Sequence, residues 1–534
     1  MNYKRYLFLI LLIITTFFVH LSALPSDIME ERNLVTAREM ADDGHWMIPT
    51  MNGELRLEKP PLPTWVAGVV ECVAHDNIAA QRAMAGVMGT IAIVFFFLII
   101  RDVSGGNTRI GLLAIVVLMT MYQTVLMGRT ATWDIYCHAF MLAAIYFLGR
   151  GLRAPACLQW RWFPWAGVCL GLSFLSKGPV SFYAMLLPVI IAAFGLPSLS
   201  AKGKWPAIST MIAIALVISA WWYVWLLTMH PVEAATVFHK ESGAWSHHNV
   251  RPWYYYWRFF LETGIWALPM VASLFIGYWK RNIKIPHVYL FAITWTLAAL
   301  VLLSLMPEKK MRYLLPMMPP CALCVACLLY HWQDATDKVS RILCKVQGSL
   351  TVIVAAGIAV ALFFLHPLAL WACVILGAAL IGIAAYVLVS TIHNRPIGMV
   401  CGVALIFMLA ECFLLKPVGK MFGNPDEHSI AAVKTMPRLK DVPFYHPEDD
   451  PLRIELIYAT HRKIRPINLR DTATIVHRTP FVLVTSGDYH KAITMPAGTK
   501  ALPIGNFDDN KHRKSNRHYT DLLTSKAVLV LNDE

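Results

Sequence analysis

Residues 83–100 read AMAGVMGTIAIVFFFLII, a stretch without a charged side chain that is followed directly by Arg101. Because about 20 apolar residues in a helix cross the hydrocarbon core of a bilayer, this stretch predicts a membrane span. The composition of the whole chain agrees, since its 534 residues are 57% hydrophobic and only 15% charged, with a mean hydropathy of +0.53. A soluble protein needs more charge on its surface. The sequence therefore predicts an integral membrane protein.

Similar apolar stretches recur along most of the chain and predict an all-α polytopic fold. They number about thirteen and lie near residues 6–24, 83–100, 110–127, 135–149, 163–176, 179–196, 206–228, 263–279, 286–306, 314–331, 348–365, 368–390 and 397–415. After residue 415 the composition becomes mixed and polar. We therefore predict a transmembrane domain over residues 1–415 and a second domain over 416–534.

The second domain is predicted to be a small α/β domain. A helical stretch is expected at residues 429–435, and strand-like stretches are expected at 453–459, 481–485 and 527–531. It contains no nucleophile elbow and no glycine-rich phosphate loop, so no chemistry is assigned to it.

Basic residues predict the orientation of the chain in its membrane. Lys4 and Arg5 precede the first span, and every second short loop after it is also basic. Because Lys and Arg in short loops are retained on the cytoplasmic side, the N-terminus is predicted to be cytoplasmic. Thirteen spans then place the C-terminal domain in the periplasm of a bacterial-type inner membrane. The loops 25–82, 229–262 and 307–313 are long and charged and fall on the same outer face.

Three carboxylates in or beside these outer loops are candidate catalytic groups. Charged side chains between membrane spans are unfavourable unless they face protein or water, so they mark a candidate site. Asp27 and Glu30 follow Pro25 at a predicted helix start, where the plain alternative is a capping box. Asp134 lies at the outer end of the fourth predicted span, where the alternative is an ion pair with Arg129.

Cations on the same face predict a polyanionic ligand. Lys59 stands before Pro60 and Pro61, which hold the backbone extended, although a lysine here could also anchor the chain at the membrane interface. The candidate binding residues are Arg32, Lys59, Lys177, Lys309, Lys310, Arg312 and Tyr313. Anionic lipids or phosphorylated glycolipids suit such a face, and nucleic acid does not.

Several of these motifs occur together in a known group of enzymes. They are Ala37-Arg38-Glu39-Met40, Gly44-His45-Trp46, Asn52-Gly53, Lys59-Pro60-Pro61-Leu62, the Asp134 loop, Ser176-Lys177-Gly178-Pro179 and Lys310 through Tyr313. In this combination, roughly over residues 1–330, the chain resembles the GT-C fold glycosyltransferases that use polyprenyl-phosphate sugars. The resemblance is greatest to the superfamily of lipid A aminoarabinose transferases and protein O-mannosyltransferases.

The resemblance implies an inverting transfer of a sugar from a polyprenyl-phosphate donor to an acceptor at the outer face. The acceptor would be a lipid A-like glycolipid or a protein, and the lipid bilayer would hold both partners. The family usually has Asp-Glu at the third and second positions before the arginine of its first motif. Counting back from Arg32 places Met29 at the aspartate position and Glu30 at the glutamate position. Glu30 is therefore favoured over Asp27 as the first-loop carboxylate.

Two other classes of function remain as alternatives. A flippase or transporter of lipid-linked saccharides would also carry cations for a lipid phosphate, and a scaffold without chemistry would not need the carboxylates. The sequence indicates no cofactor. A divalent metal stays open as an alternative, although His239, His247 and His248 lack the regular spacing of a zinc site.

Overall fold

The structure is a computed structural model that describes residues 3–196, 199–237, 249–486 and 498–533. Its contacts divide the chain into two compact units. The membrane unit comprises Met1–Leu21, Glu58–Pro63 and Ile78–Leu415, and the sheet unit comprises Ser22–Leu57, Thr64–Asn77 and Lys416–Glu534. The separate folding of domains 1–415 and 416–534 stays a prediction.

Helices of membrane-crossing length and composition build the membrane unit. Among the described residues there are eight, or nine if one bent pair counts as a single span. They are Ile78–Val103, Trp133–Arg153, Trp205–Met229, Pro286–Leu305, Met311–Trp332, Lys338–Leu365, Leu370–Ile392 and Pro396–Phe422, and the bent pair is Trp253–Ser273 with Ile276–Asn282. The shorter helices of this unit are Tyr3–Phe18, Thr108–Met119, Tyr122–Met127, Phe163–Lys177 and Phe182–Ala193. Most of another short helix, Leu62–Val73, belongs to the sheet unit.

The predicted fold class is confirmed, whereas the count of thirteen membrane-crossing helices is not. Every predicted apolar stretch overlaps a helix, but several of these helices are interrupted. Thr108–Met119 has 12 residues and is capped at its C-terminus by Thr120, and the separate helix Tyr122–Met127 follows. At about 1.5 Å per residue, a 12-residue helix reaches only about 18 Å, less than the hydrocarbon core of about 30 Å. Apolar composition alone therefore does not fix the number of helices that cross the membrane.

A five-stranded mixed sheet forms the centre of the sheet unit, with the strand order β4-β3-β5-β7-β6. Its strands are β3 (Phe444–Pro447), β4 (Ile464–Ile467), β5 (Phe481–Ser486), β6 (Thr499–Asp508) and β7 (Thr524–Asn532), and a separate hairpin is formed by β1 (Thr50–Met51) and β2 (Glu54–Leu55). Strand β3 is parallel to β4 and β5, whereas β7 is antiparallel to β5 and β6. The α/β class predicted for this part of the chain is confirmed.

One predicted strand in the sheet unit is wrong, because residues 453–459 lie in the helix Ile454–Thr460. Its side chains Ile454, Ile457, Leu456 and Thr460 are buried. The pairs Ile454/Ile457 and Leu456/Thr460 have the spacings of three and four that place residues on one helix face. A short apolar run fits either structure when read alone. The other helices of this unit are Ile28–Asp43, Thr472–Arg478 and the short 3-10 segments Ile430–Thr435, Pro437–Leu439 and Asp521–Leu523.

The helix Ile28–Asp43 of the first loop belongs to the core of the sheet unit. Its Val35 is buried in the same apolar cluster as Leu456, Ile464 and Val482. The carboxylate of Glu39 on this helix accepts hydrogen bonds from the Thr50 hydroxyl (2.7 Å) and from the backbone N–H groups of Asn52 (2.6 Å) and Gly53 (3.1 Å). Asn52 and Gly53 both have positive φ, as the tight turn of hairpin β1–β2 requires. Glu39 therefore stabilises this turn.

Candidate functional site

Asp134 and Lys177 form a buried ion pair in the membrane unit. Asp134 occupies the first turn of helix Trp133–Arg153, and Lys177 is the last residue of helix Phe163–Lys177. Their side chains are only 3% and 9% exposed, and the Lys177 ammonium donates to the Asp134 carboxylate. Gly178 ends the second helix at φ 70° and ψ −150°, a conformation that favours glycine. The predicted alternative of an Asp134–Arg129 pair is not observed, because Arg129 donates to the carbonyls of Thr15 and Thr16.

Tyr313 lies between two lysines beside this pair. The Lys177 nitrogen is 5.0 Å from the centre of the Tyr313 ring, and the Lys310 nitrogen is 5.8 Å from it. Lys310 also forms an ion pair with Glu308 at 2.6 Å. An ammonium group has three N–H donors, so each paired lysine can still donate to a ligand.

The loop that carries these cations is held by backbone contacts. The Tyr256 hydroxyl donates to the Lys310 carbonyl and accepts from the Lys310 N–H, both at 3.0 Å. Lys309 is buried, and its ammonium donates to the carbonyls of Met306 and Arg251. Lys309 therefore helps to hold the backbone of this loop in position. Its role in ligand binding stays a prediction.

Arg312 adds a positive charge that acts on Asp134. Its Nε is buried, and within the described part of the chain it has no hydrogen-bond partner. A buried guanidinium N–H without a partner is unfavourable unless a ligand or water accepts from it. The structure thus brings five predicted residues into one cluster, which we call the cationic cluster: Asp134, Lys177, Lys310, Arg312 and Tyr313. Lys59, also in the membrane unit, is half-buried.

The first-loop candidates lie in the sheet unit. Asp27 is the N-cap of helix Ile28–Asp43, where its carboxylate accepts from the backbone N–H groups of Met29 (2.7 Å) and Glu30 (2.9 Å). In this structure the Asp27 carboxylate therefore serves as a helix cap. Glu30 is fully buried in the first turn of the helix, and its charge acts on Tyr458. Arg32 has a buried Nε without a hydrogen-bond partner among the described residues.

The sequence interpretation missed Glu31, a buried carboxylate next to Glu30. The Lys511 ammonium lies 2.6 Å from Glu31, and the Ser26 hydroxyl donates to the same carboxylate at 2.6 Å. Burial raises the pKa of Glu31, although Lys511 and Ser26 act in the opposite direction. Since 480 positions separate the two partners, no local pattern identifies the pair.

A second missed cluster in the sheet unit surrounds Asp76. This carboxylate contacts His461 at 2.8 Å and both Arg38 and Lys434 at 3.4 Å. Burial alone would raise the pKa of Asp76, but the hydrogen bond with His461 and the neighbouring cations lower it to about 2. Burial and the charges of Arg38 and Lys434 lower the pKa of His461 to about 4, although the hydrogen bond with Asp76 and its negative charge act to raise it.

The described residues contain no group of three or more His, Cys, Asp or Glu side chains that could hold a metal ion. The three histidines considered for zinc, His239, His247 and His248, lie outside the described residues.

Comparisons with known proteins agree with the predicted resemblance. The family model described as dolichyl-phosphate-mannose-protein mannosyltransferase matches residues 58–225. A relative from Shewanella sediminis, named undecaprenyl phosphate-alpha-4-amino-4-deoxy-L-arabinose arabinosyl transferase, is 25% identical over 59% of this chain and 58% of its own length. A protein of Aquifex aeolicus without an assigned function is also 25% identical, over 62% of this chain and 64% of its own length. The matches thus cover about three fifths of these relatives.

The structural match extends further along the chain. The crystal structure of ArnT from Cupriavidus metallidurans bound to undecaprenyl phosphate aligns with a TM-score of 0.68 and 16% identity, covering 98% of this chain and 96% of that one. At this identity the match establishes the fold. Together with the sequence matches, this confirms the predicted resemblance to GT-C glycosyltransferases. The chain is a multi-pass integral membrane protein.

Proposed function

We propose that this protein is an inverting glycosyltransferase that moves a sugar from a polyprenyl-phosphate donor to a lipid A-type glycolipid. The observation that carries the proposal is the cationic cluster, in which the buried Asp134 carboxylate contacts Lys177 and is influenced by the charge of Arg312. The buried Nε of Arg312 has no hydrogen-bond partner among the described residues. The similarity to an arabinosyl transferase and to an undecaprenyl phosphate complex supports this donor chemistry.

The proposed reaction uses both the cations and the carboxylate of the cationic cluster. An acceptor hydroxyl attacks the anomeric carbon of the donor sugar, the bond from that carbon to the phosphate oxygen breaks, and the polyprenyl phosphate leaves. Lys177, Lys310 and Arg312 are proposed to stabilise the negative charge that develops on the phosphate. The ring of Tyr313 makes cation–π contacts with the ammonium groups of Lys177 and Lys310. Lys59 and Arg32 are proposed as further phosphate contacts.

A carboxylate must orient the acceptor hydroxyl and take its proton. Asp134 and Glu30 are the proposed groups, because both are buried and neither is a helix cap. Asp27 is the third candidate and is already engaged by two backbone N–H groups. The methionine at position 29 leaves Glu30 as the first-loop acid in register with the family motif.

We also propose that the N-terminus is cytoplasmic and that residues 416–534 are periplasmic. Lys514 is exposed, so Lys514→Cys provides a labelling site in a variant whose exposed Cys72 and Cys157 are replaced by serine. A membrane-impermeant maleimide should label this site in cells whose inner membrane is intact. Labelling only after that membrane is permeabilised would invert the topology.

Reconstituted protein tests the reaction directly. Proteoliposomes receive a polyprenyl-phosphate aminosugar donor with lipid A in one arm and a protein acceptor in the other, and products are identified by mass spectrometry. The proposal expects a lipid A product whose mass increases by one sugar. Movement of the donor across the bilayer without any product would favour the flippase alternative.

The family model favours one second candidate, transfer to protein, because its description names a protein mannosyltransferase. A glycosylated product in the protein arm alone would establish that alternative.

A further inference from the structure

The sheet unit contains a basic cleft of about 360 Å³ at one end of the parallel strands β3 and β4. The segment before each strand contributes to it, because the amino ends of parallel strands lie at the same end of a sheet. Four basic residues line the cleft: Lys440, Arg462, Lys463 and Arg465. Asp441 is the one acidic residue among its lining residues.

Three of these cations have no ion-pair partner within the described parts of the chain. Lys463 is paired with Asp43 at 2.6 Å, whereas Lys440, Arg462 and Arg465 make no such contact. Asp441 therefore faces an excess of positive charge. Such an excess in a concave site attracts anions.

The register of the two strands adds a further cation beside the cleft. Tyr445 is the neighbour of Arg465 across the strand pair, so both side chains lie on the same face of the sheet. Arg478 stacks over the Tyr445 ring at 5.2 Å. Phe444 and Ile464, the preceding pair, are buried in the core on the other face.

We propose that this cleft binds a phosphate monoester group. A guanidinium group matches the oxygens of a phosphate in a bidentate manner, and Lys440 adds a point charge to the two arginines. A phosphate monoester carries about 1.5 to 2 negative charges near neutral pH, which suits three unpaired cations better than one carboxylate does. Either a lipid headgroup or free phosphate could supply this group. The proposal does not depend on the proposed transfer, because all of these residues belong to the sheet unit.

Binding to the full-length protein in phosphatidylcholine nanodiscs tests the proposal. Titration calorimetry is performed with inorganic phosphate in one arm and with water-soluble dihexanoyl phosphatidic acid in the other. The cleft variant is Arg462→Gln/Arg465→Gln. The matched control is Lys514→Gln/Arg517→Gln, which removes the same charge from two exposed positions outside the cleft.

The cleft variant should weaken binding by about tenfold or more, since two charge-assisted contacts are lost, while the control should bind like the wild type. An effect in both arms with equal affinity would show that the phosphate group itself is recognised. Tighter binding of phosphatidic acid would identify a lipid headgroup as the source. Equal weakening by the two double variants, or none by the cleft variant, would overturn the proposal.

Discussion

The carboxylates of Asp134 and Asp76 are stabilised in different ways in the two units. Asp134 is almost completely buried, and among the described residues it forms an ion pair with one cation, Lys177. The side chain of Asp76 is 36% exposed and contacts His461, Arg38 and Lys434. Loss of one partner should therefore be severe in the membrane unit, where no water replaces it, and mild in the sheet unit, where other cations and water remain.

Breaking the Asp134–Lys177 pair should have the largest effect. Asp134→Asn leaves the Lys177 ammonium buried without its counter-charge, which should destabilise the protein by about 3–5 kcal/mol. Loss of a carboxylate that orients the acceptor should also slow sugar transfer by at least about 100-fold. Melting temperature and transfer rate are measured on the purified protein. The double variant Asp134→Asn/Lys177→Met should regain stability but not activity, and recovery of both would assign Asp134 a structural role only.

Glu30→Gln should separate chemistry from helix capping in the first loop. The change keeps the size of a buried side chain but removes a proton acceptor, so transfer should fall by roughly 10²- to 10⁴-fold. Its control is Asp27→Asn, because asparagine also caps helices well and stability should change by less than about 1 kcal/mol. Steady-state transfer assays compare the two variants. Full activity of Glu30→Gln together with inactive Asp27→Asn would move the catalytic role to Asp27.

Lys59→Ala and Lys309→Ala should affect different properties of the membrane unit. Lys59 is proposed to contact the donor phosphate, and losing one charge-assisted contact should weaken donor binding by about 1.5–3 kcal/mol. Lys309 donates to two backbone carbonyls, so its loss should lower the melting temperature more than donor affinity. Donor titrations and thermal unfolding are measured on both. An unchanged KM in Lys59→Ala would make that lysine an interface anchor.

The smallest effect is expected from protonation of His461. Its pKa is lowered to about 4 in the folded protein, against about 6.5 in an unfolded chain, so the unfolded state binds more protons between these values. Stability should therefore be complete above pH 6.5 and decrease as the pH falls towards 4. The melting temperature of the wild type should fall more steeply over this window than that of His461→Gln. Parallel curves would show that His461 does not titrate with unfolding.

The predictions from sequence succeeded where a pattern is local. Apolar stretches identified the helical regions, and Pro25 and Asp27 located the start of the first-loop helix. They failed at residues 453–459, because a short segment with only a few apolar residues satisfies a strand and a short helix equally well. The count of thirteen spans stays a prediction, since composition does not show where a helix is interrupted.

The sequence by itself determined that this is a polytopic helical membrane protein with a mixed α/β segment, because hydrophobic length and periodicity follow from the chain alone. It also supplied the members of the cationic cluster, although not their pairing. Only the tertiary structure decided that Asp134 contacts Lys177 and that Glu31 contacts Lys511. Ion pairs between residues 43 or 480 positions apart form because folding brings distant segments together in a low-dielectric interior, where an unpaired charge is unfavourable.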